Sequence, residues 1–137
     1  MNKKFFTGMI VLSLLGACNK SEVFAPETTT TPASSIFKDE HIAVSNAKLT
    51  QVNAGKVSFS FSTLYEKDIE TIAVFGGVSK KNLCSFYSKK ITADSHDIKD
   101  YSAIDAAAGS DINYYVIKYT TKSGDWSYSP VYEIKMK

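Results

Sequence analysis

From about residue 40 to the end of the chain, apolar and polar side chains alternate with a period of two. The clearest stretch is residues 57–62, where Val57, Phe59 and Phe61 fall on one face and three serines on the other. Such alternation predicts strands that bury one face. We predict seven strands, at residues 42–49, 57–62, 69–75, 82–91, 97–104, 112–121 and 126–136.

Turn residues separate these runs. The pair Gly76-Gly77 is predicted to end the third strand, and residues 122–125 are predicted to form a hairpin turn in which Gly124 takes a positive φ. No stretch has the period of an amphipathic helix. Residues 40–137 are therefore predicted to form an all-β, immunoglobulin-like sandwich of about seven antiparallel strands.

The N-terminus has the pattern of a signal peptide. Two lysines precede an apolar run at residues 5–15, which is shorter than the ~20 residues that a membrane-spanning helix needs. Residues 14–18, Leu-Leu-Gly-Ala-Cys, resemble the bacterial lipobox. This resemblance implies cleavage before Cys18, a thioether-linked diacylglycerol on Cys18 and acylation of the new amino terminus. An ordinary secretory signal is the alternative, although Leu15 fits its cleavage rule poorly.

Lipidation would make this a protein of the cell envelope, because two or more acyl chains anchor stably where one holds only reversibly. Asn19 follows the cysteine, and by resemblance to lipoprotein sorting rules this implies the outer membrane, on either face. Residues 18–39 are rich in Pro, Thr and Ser and lack a period. We predict residues 1–17 as the signal peptide, 18–39 as a flexible tether and 40–137 as the domain.

The other cysteine, Cys84, lies in an apolar run that is predicted as a strand. We expect a small buried side chain there. A thioether on Cys18 would preclude an internal disulfide, because the chain contains only 2 cysteines.

Composition argues against nucleic acid as a partner. The formal charge is +2, and it falls to zero when Lys3 and Lys4 of the leader are set aside. The sequence contains no arginine, the residue that binds phosphate through two parallel hydrogen bonds.

Several motifs resemble fibronectin type III domains. The pattern Val57-x-Phe59-x-Phe61 resembles the family's second strand, in which an aromatic residue, often Trp, fills the position of Phe61. This chain departs from the family in having Phe there rather than Trp. Residues 113–118 resemble the sixth strand, with Tyr115 at the tyrosine-corner position. The resemblance implies that the Tyr115 ring packs inward and that its hydroxyl is bonded to backbone.

The end of the chain extends this resemblance. Residues 124–130, Gly-Asp-Trp-Ser-Tyr-Ser-Pro, are similar to the last turn and strand of fibronectin III-like modules of Bacteroidetes surface and secreted proteins. The resemblance covers residues 40–137 and implies a module that binds or presents rather than one that catalyses. The Asp- and Ala-rich region at residues 88–110 departs from the family pattern.

Catalytic constellations are not evident. The chain has 2 histidines, His41 and His96, whereas a zinc site needs three or four nitrogen or sulfur ligands. Ser95 and Asp97 flank His96, but the members of a catalytic triad converge from separate elements. We therefore predict no enzyme activity, no metal and no cofactor.

Aspartates are frequent in one region. They could supply oxygens to Ca²⁺, but their spacing matches no known loop pattern and solvated loop acids are the favoured interpretation, with Ca²⁺ binding left open. The residues concerned are Asp94, Asp97, Asp100, Asp105 and Asp111.

Aromatic residues are the candidates for contact with a ligand or partner. We select Trp126, Tyr114 and Tyr101, because exposed rings stack on sugars or anchor protein interfaces. The tyrosines predicted to face the core are Tyr115, Tyr119 and Tyr128. The predicted function is binding of another envelope protein; the alternative is a carbohydrate-binding accessory lipoprotein. A long uncovered edge strand would favour the first and a coplanar exposed aromatic strip the second.

Overall fold

The computed structural model describes residues 21–22 and 36–137. Every regular element in this part of the chain is a β-strand, which confirms the predicted all-β class. The strands are β1 (Ser21–Glu22), β2 (Phe37–Lys38), β3 (Ile42–Asn53), β4 (Lys56–Glu66), β5 (Ile69–Ser79), β6 (Asn82–Lys90), β7 (Lys99–Asp105), β8 (Ile112–Thr121), β9 (Trp126–Tyr128) and β10 (Tyr132–Lys135).

These strands form two antiparallel sheets. A six-stranded sheet has the order β1-β6-β5-β8-β10, and β9 pairs with a separate stretch of β8. A four-stranded sheet has the order β2-β3-β4-β7. From β2 onward, the chain passes from one sheet to the other after β4, β6 and β7, which is the interleaved connectivity of an immunoglobulin-like sandwich. The predicted sandwich is confirmed, with short strands added to the seven that the alternation predicts.

A cluster of rings joins the two sheets. The Phe59 ring on β4 lies 5.6 Å from the Phe61 ring, 6.0 Å from the Tyr115 ring on β8 and 5.4 Å from the Tyr132 ring on β10, between centroids. All four side chains are buried. Such tilted ring pairs stabilise the core beyond the burial of their area, so the alternation along β4 places its aromatic face as predicted.

Strand β5 runs through Gly76 and Gly77, although the sequence predicts that it ends there. A Cβ added at Gly76 would lie 2.6 Å from Cε1 of Tyr115 and 3.0 Å from Cε1 of Phe86. The glycine therefore allows a buried ring to approach the backbone within a strand. Its role is packing rather than a turn.

The last predicted strand is broken in two at Ser129 and Pro130. Proline has no N–H for the ladder, and here a side chain substitutes for backbone. The N–H of Ile117 donates to Oγ of Ser129 at 2.8 Å, and the N–H of Ser129 donates to the carbonyl of Ile117 at 2.8 Å. The two bonds keep β9 and β10 attached to β8 across the break.

This break changes which side chains face the core. Tyr128 pairs with Lys118, whereas Tyr132 pairs with Tyr115, so the register moves by one residue between β9 and β10. A one-residue shift exchanges the two faces of a strand. Tyr132 is buried in the core, and Tyr128 is half-buried on the outer face. The prediction that Tyr128 faces the core is therefore wrong.

Two short strands lie inside the range predicted as the tether. In β1, Ser21 pairs with Cys84 and Glu22 pairs with Leu83. At the other end of the range, β2 pairs with β3. Residues 23–35 and the predicted signal peptide at residues 1–17 lie outside the described residues.

Candidate binding face

The outer face of the six-stranded sheet carries aromatic side chains around one lysine. Nζ of Lys118 lies 5.5 Å from the centre of the Tyr128 ring and 5.8 Å from the centres of the Trp126 and Phe75 rings. A cation over a ring stabilises by about 0.5–1 kcal/mol at an exposed position. We use the term aromatic face for Phe75, Tyr114, Val116, Lys118, Trp126 and Tyr128.

Exposure differs across the aromatic face. Trp126 is 63% exposed at one margin, whereas Phe75 and Val116 in the middle are 2% and 1% exposed. Tyr114 is half-buried, and Nζ of Lys80 lies 5.2 Å from the centre of its ring. The face therefore combines a buried apolar centre with rings that a partner can reach at its margins.

The β8–β9 hairpin positions Trp126. Gly124 has φ of +93°, as predicted for this turn. The N–H of Thr121 donates to the carbonyl of Asp125 at 2.7 Å, and Oγ1 of Thr121 accepts from the N–H of Asp125 at 3.1 Å. Because these bonds close the turn immediately before Trp126, they fix the start of β9 and the indole on it.

Two of the three predicted contact residues lie on this face. Trp126 pairs with Thr120, and Tyr114 lies six positions before Thr120 on β8. At the rise of a strand this corresponds to about 20 Å. Trp126 and Tyr114 therefore mark the two ends of the aromatic face, with Lys118 between them.

The third predicted contact residue, Tyr101, is a core residue, and this prediction is wrong. Its side chain is 4% exposed, its ring stacks on Phe61 at 5.0 Å and 11°, and its hydroxyl donates to Glu66. Burial raises the pKa of Tyr101, and its hydrogen bond to Glu66 adds to that effect. Nζ of Lys89 lies 5.2 Å from the centre of the Tyr101 ring, so the protein's own side chains cover the ring.

The sequence-based selection missed Lys118, Phe75 and Tyr128. Lys118 alternates with core residues along β8, so its outward position is predictable from the pattern. Its approach to three rings depends on the pairing of β8 with both β5 and β9. The signal that Tyr128 turns outward is the proline two residues later.

The lipid-attachment residue Cys18 lies outside the described residues. Cys84 is half-buried and disulfide-bonded, which differs from the expected small buried side chain. The sequence contains one other cysteine, Cys18. Within one chain, a disulfide at Cys84 and a thioether on Cys18 are mutually exclusive, because one sulfur cannot form both bonds.

The tyrosine-corner residue has the predicted ring position but a different hydrogen-bond partner. Tyr115 is wholly buried. Its hydroxyl donates at 2.7 Å to Oδ2 of Asp105, and the other oxygen of that carboxylate accepts from the N–H of Ala107 at 3.0 Å. Burial raises the pKa of Tyr115, and the bond to Asp105 adds to that effect. The prediction of a backbone acceptor is wrong, because the acceptor is the side-chain carboxylate of Asp105.

Three of the five aspartates weighed for Ca²⁺, Asp94, Asp100 and Asp105, accept hydrogen bonds from protein groups. Oδ1 of Asp94 accepts from the N–H of Asp68 at 2.9 Å, and this bond is the main reason why the pKa of Asp94 lies below its ordinary value. Asp100 accepts from the hydroxyl of Ser62 at 2.6 Å. Among residues 21–22 and 36–137, no group of three or more His, Cys, Asp or Glu side chains is placed to hold a metal ion.

The histidine neighbourhoods contain ordinary turn contacts. Nδ1 of His41 lies 3.1 Å from the carbonyl oxygen of Lys67. Next to His96, the hydroxyl of Ser95 accepts from the N–H of Asp97 at 3.1 Å.

In the part of the chain that the structure describes, no helix has the length and hydropathy needed to cross a membrane.

No protein-family model matches this chain, and no curated protein or solved structure matches it. The binding capacity of the aromatic face is therefore inferred from the groups that it carries. It offers an exposed indole, two half-buried phenol rings, and two ammonium groups that lie 5.2–5.8 Å from ring centres.

Proposed function

We propose that this is a lipid-anchored protein of the cell envelope, in the outer membrane, that binds a protein partner through its aromatic face. The observation that carries the proposal is the position of Lys118, whose ammonium lies within 5.8 Å of three ring centres beside the exposed Trp126. Tryptophan and tyrosine are enriched among the residues that dominate protein–protein binding energy.

The lysines favour a protein over a sugar. A sugar ring stacks on an open aromatic face, whereas Lys118 and Lys80 approach the rings of Tyr128 and Tyr114. An acidic side chain of a partner can pair with the ammonium of Lys80 while its apolar neighbours cover the rings. The chemistry therefore fits a partner segment that combines carboxylates with apolar side chains.

Lipidation is supported by the pattern at residues 14–18 and by the poor fit of Leu15 to an ordinary cleavage site. Of the two alternatives for the sulfur of Cys18, we propose the thioether in the mature protein. Membership of the fibronectin III-like modules is likewise proposed. It is supported by the strand order of the two sheets and by the buried Tyr115 on β8.

Photo-crosslinking in the native envelope tests the binding face. A photoreactive phenylalanine analogue is placed at Trp126 or, as the matched control, at Ile98, which is 68% exposed and precedes β7 in the other sheet. We expect one discrete protein adduct from position 126, absent from position 98 and lost when Lys118→Glu is added. The same adducts from both positions, or none from position 126, would contradict the proposal.

Carbohydrate binding is the second candidate, and the exposure of Trp126 is the observation that favours it. Retention of the mature protein on immobilised envelope glycans separates the two candidates. Sugar binding predicts retention that Trp126→Ala abolishes and Lys118→Glu leaves unchanged. Protein binding predicts no retention by either form.

A further inference from the structure

The first described residues after Cys18 are paired with one edge of the domain. Ser21 lies opposite Cys84 on β6, and Glu22 lies opposite Leu83. An extended chain advances at most about 3.6 Å per residue, so the three steps from Ser21 back to Cys18 cover at most about 11 Å. While β1 stays paired with β6, a lipid attached at Cys18 therefore starts close to the β6 edge.

The same edge is basic. Residues 80–92 contain four lysines and no Asp or Glu. Lys81 precedes β6 and Lys89 and Lys90 end it, and all three are exposed, whereas Lys80 is half-buried. Within residues 21–22 and 36–137, the salt bridges given by the structure involve none of the four.

We infer that in the lipidated protein the β6 edge lies against the membrane surface, with the exposed Lys81, Lys89 and Lys90 on anionic lipid headgroups. The inference deepens the proposed function and rests on its lipid anchor. It is carried by the positive charge of that edge and by the pairing of β1 with β6, and it takes this pairing, seen here beside a disulfide-bonded Cys84, to persist when Cys18 carries the thioether instead. Anionic headgroups attract lysines that are held within a Debye length of the surface.

This orientation presents the aromatic face to the aqueous phase. Ser88 on β6 pairs with Ala73, which pairs with Lys118, which pairs with Tyr128. Three strand spacings separate the two ends of this row, a distance of about 14 Å. The β9 margin with Trp126 therefore lies on the side of the sheet opposite the β6 edge, and the domain itself spaces the binding residues from the membrane.

A tryptophan reporter on each margin tests the orientation. Trp126 is the only tryptophan of the chain; a second protein carries Ser88→Trp with Trp126→Phe. Each lipidated mature protein is reconstituted in vesicles of phosphatidylcholine and phosphatidylglycerol that contain brominated lipid. We expect strong fluorescence quenching at position 88 and little at position 126. Replacing phosphatidylglycerol by phosphatidylcholine should reduce the quenching at position 88.

Charge variants complete the test. Lys89→Gln with Lys90→Gln should lower the affinity of the edge for anionic vesicles by tenfold or more, since each lysine raises that affinity about fivefold. The control pair is Lys48→Gln with Lys56→Gln in the other sheet, and it should leave the quenching unchanged. If these lysines serve only to prevent another strand from pairing with the edge, Lys89→Gln with Lys90→Gln will have no effect on quenching, and that result would contradict the inference.

Flotation of the vesicles distinguishes failure of the proposed orientation from failure of the proposed lipid anchor. Protein that floats but shows equally weak quenching at positions 88 and 126 would overturn the orientation and leave the lipid anchor intact. Protein purified from the native membrane that does not float lacks the anchor, and that result would overturn both.

Discussion

The ammonium of Lys99 lies 3.0 Å from Oε2 of Glu66, a carboxylate whose side chain is wholly buried. The other oxygen of Glu66 accepts from the hydroxyl of Thr63 at 2.9 Å and from that of Tyr101. A buried carboxylate is tolerated when it is paired and hydrogen-bonded. This cluster links the end of β4 to β7 and helps to hold the edge of the four-stranded sheet.

Replacing Lys99 by Met should destabilise the domain by about 2 kcal/mol. Removal of one partner of a fully buried ion pair costs about 3–5 kcal/mol, and partial exposure of Lys99 reduces that cost. Urea unfolding measures the change. The matched control is Lys48→Met, an exposed lysine on β3, which should change the free energy of unfolding by less than about 0.5 kcal/mol. Equal effects from both variants would contradict the role of Lys99.

The hydroxyl of Tyr115 supplies one of the two hydrogen bonds to the Asp105 carboxylate. Tyr115→Phe keeps the ring and removes this bond, so we expect a loss of about 1.5–3 kcal/mol in the free energy of unfolding. Tyr114→Phe, on the neighbouring outward position, should have little effect. If Tyr115→Phe is as stable as the native protein, the bond to Asp105 does not secure the β7–β8 corner.

Gly76→Ala should destabilise the domain by about 1–3 kcal/mol, because the added methyl collides with the buried Tyr115 ring. Gly55→Ala is the control, since a Cβ there meets nothing within 4 Å. Thermal unfolding of both variants checks the prediction. A melting temperature that falls equally in both would indicate a general effect of glycine replacement rather than close packing at Gly76.

Alkaline pH should destabilise the domain through Tyr119. Burial, with a hydrogen bond from its hydroxyl to Asp39, raises the pKa of Tyr119 to about 12. A tyrosine in the unfolded chain titrates near about pH 10. Between these values the unfolded chain loses a proton that the folded chain keeps, so stability falls as pH rises.

Tyr119→Phe removes this titration. Its free energy of unfolding should fall less steeply between about pH 10 and about pH 12 than that of the native protein. The two slopes should differ by the equivalent of up to about one bound proton. Urea unfolding at a series of pH values gives both slopes. Identical slopes for the variant and the native protein would show that the hydroxyl of Tyr119 ionises equally easily in both states.

Local alternation predicted most of the fold, because a half-buried strand requires apolar side chains at every second position. In β4 the pattern Val57, Phe59 and Phe61 fixes the inward face without reference to any other strand. In β7 the same rule is ambiguous: Asp105 is buried while Ile104 is 49% exposed. Asp105 faces inward because Tyr115, ten residues later, donates to it.

The candidate site was less predictable because it is assembled by pairing between distant strands. Trp126 could be selected from its place at the hairpin, but the position of Lys118 near Phe75 requires β5 and β8 to be neighbours. Tyr101 was misassigned because an aromatic residue in a short strand fits either face until its partner, here the Phe61 ring, is known.

We propose above all that lipid on Cys18 holds this sandwich to a membrane. Mass spectrometry of the mature protein, extracted from its native membrane and digested without reduction, tests it most directly. We expect an N-terminal peptide that begins at Cys18 and carries a thioether-linked diacylglycerol. An N-terminal peptide joined by a disulfide to the Cys84 peptide, or one with an unmodified Cys18 thiol, would contradict it.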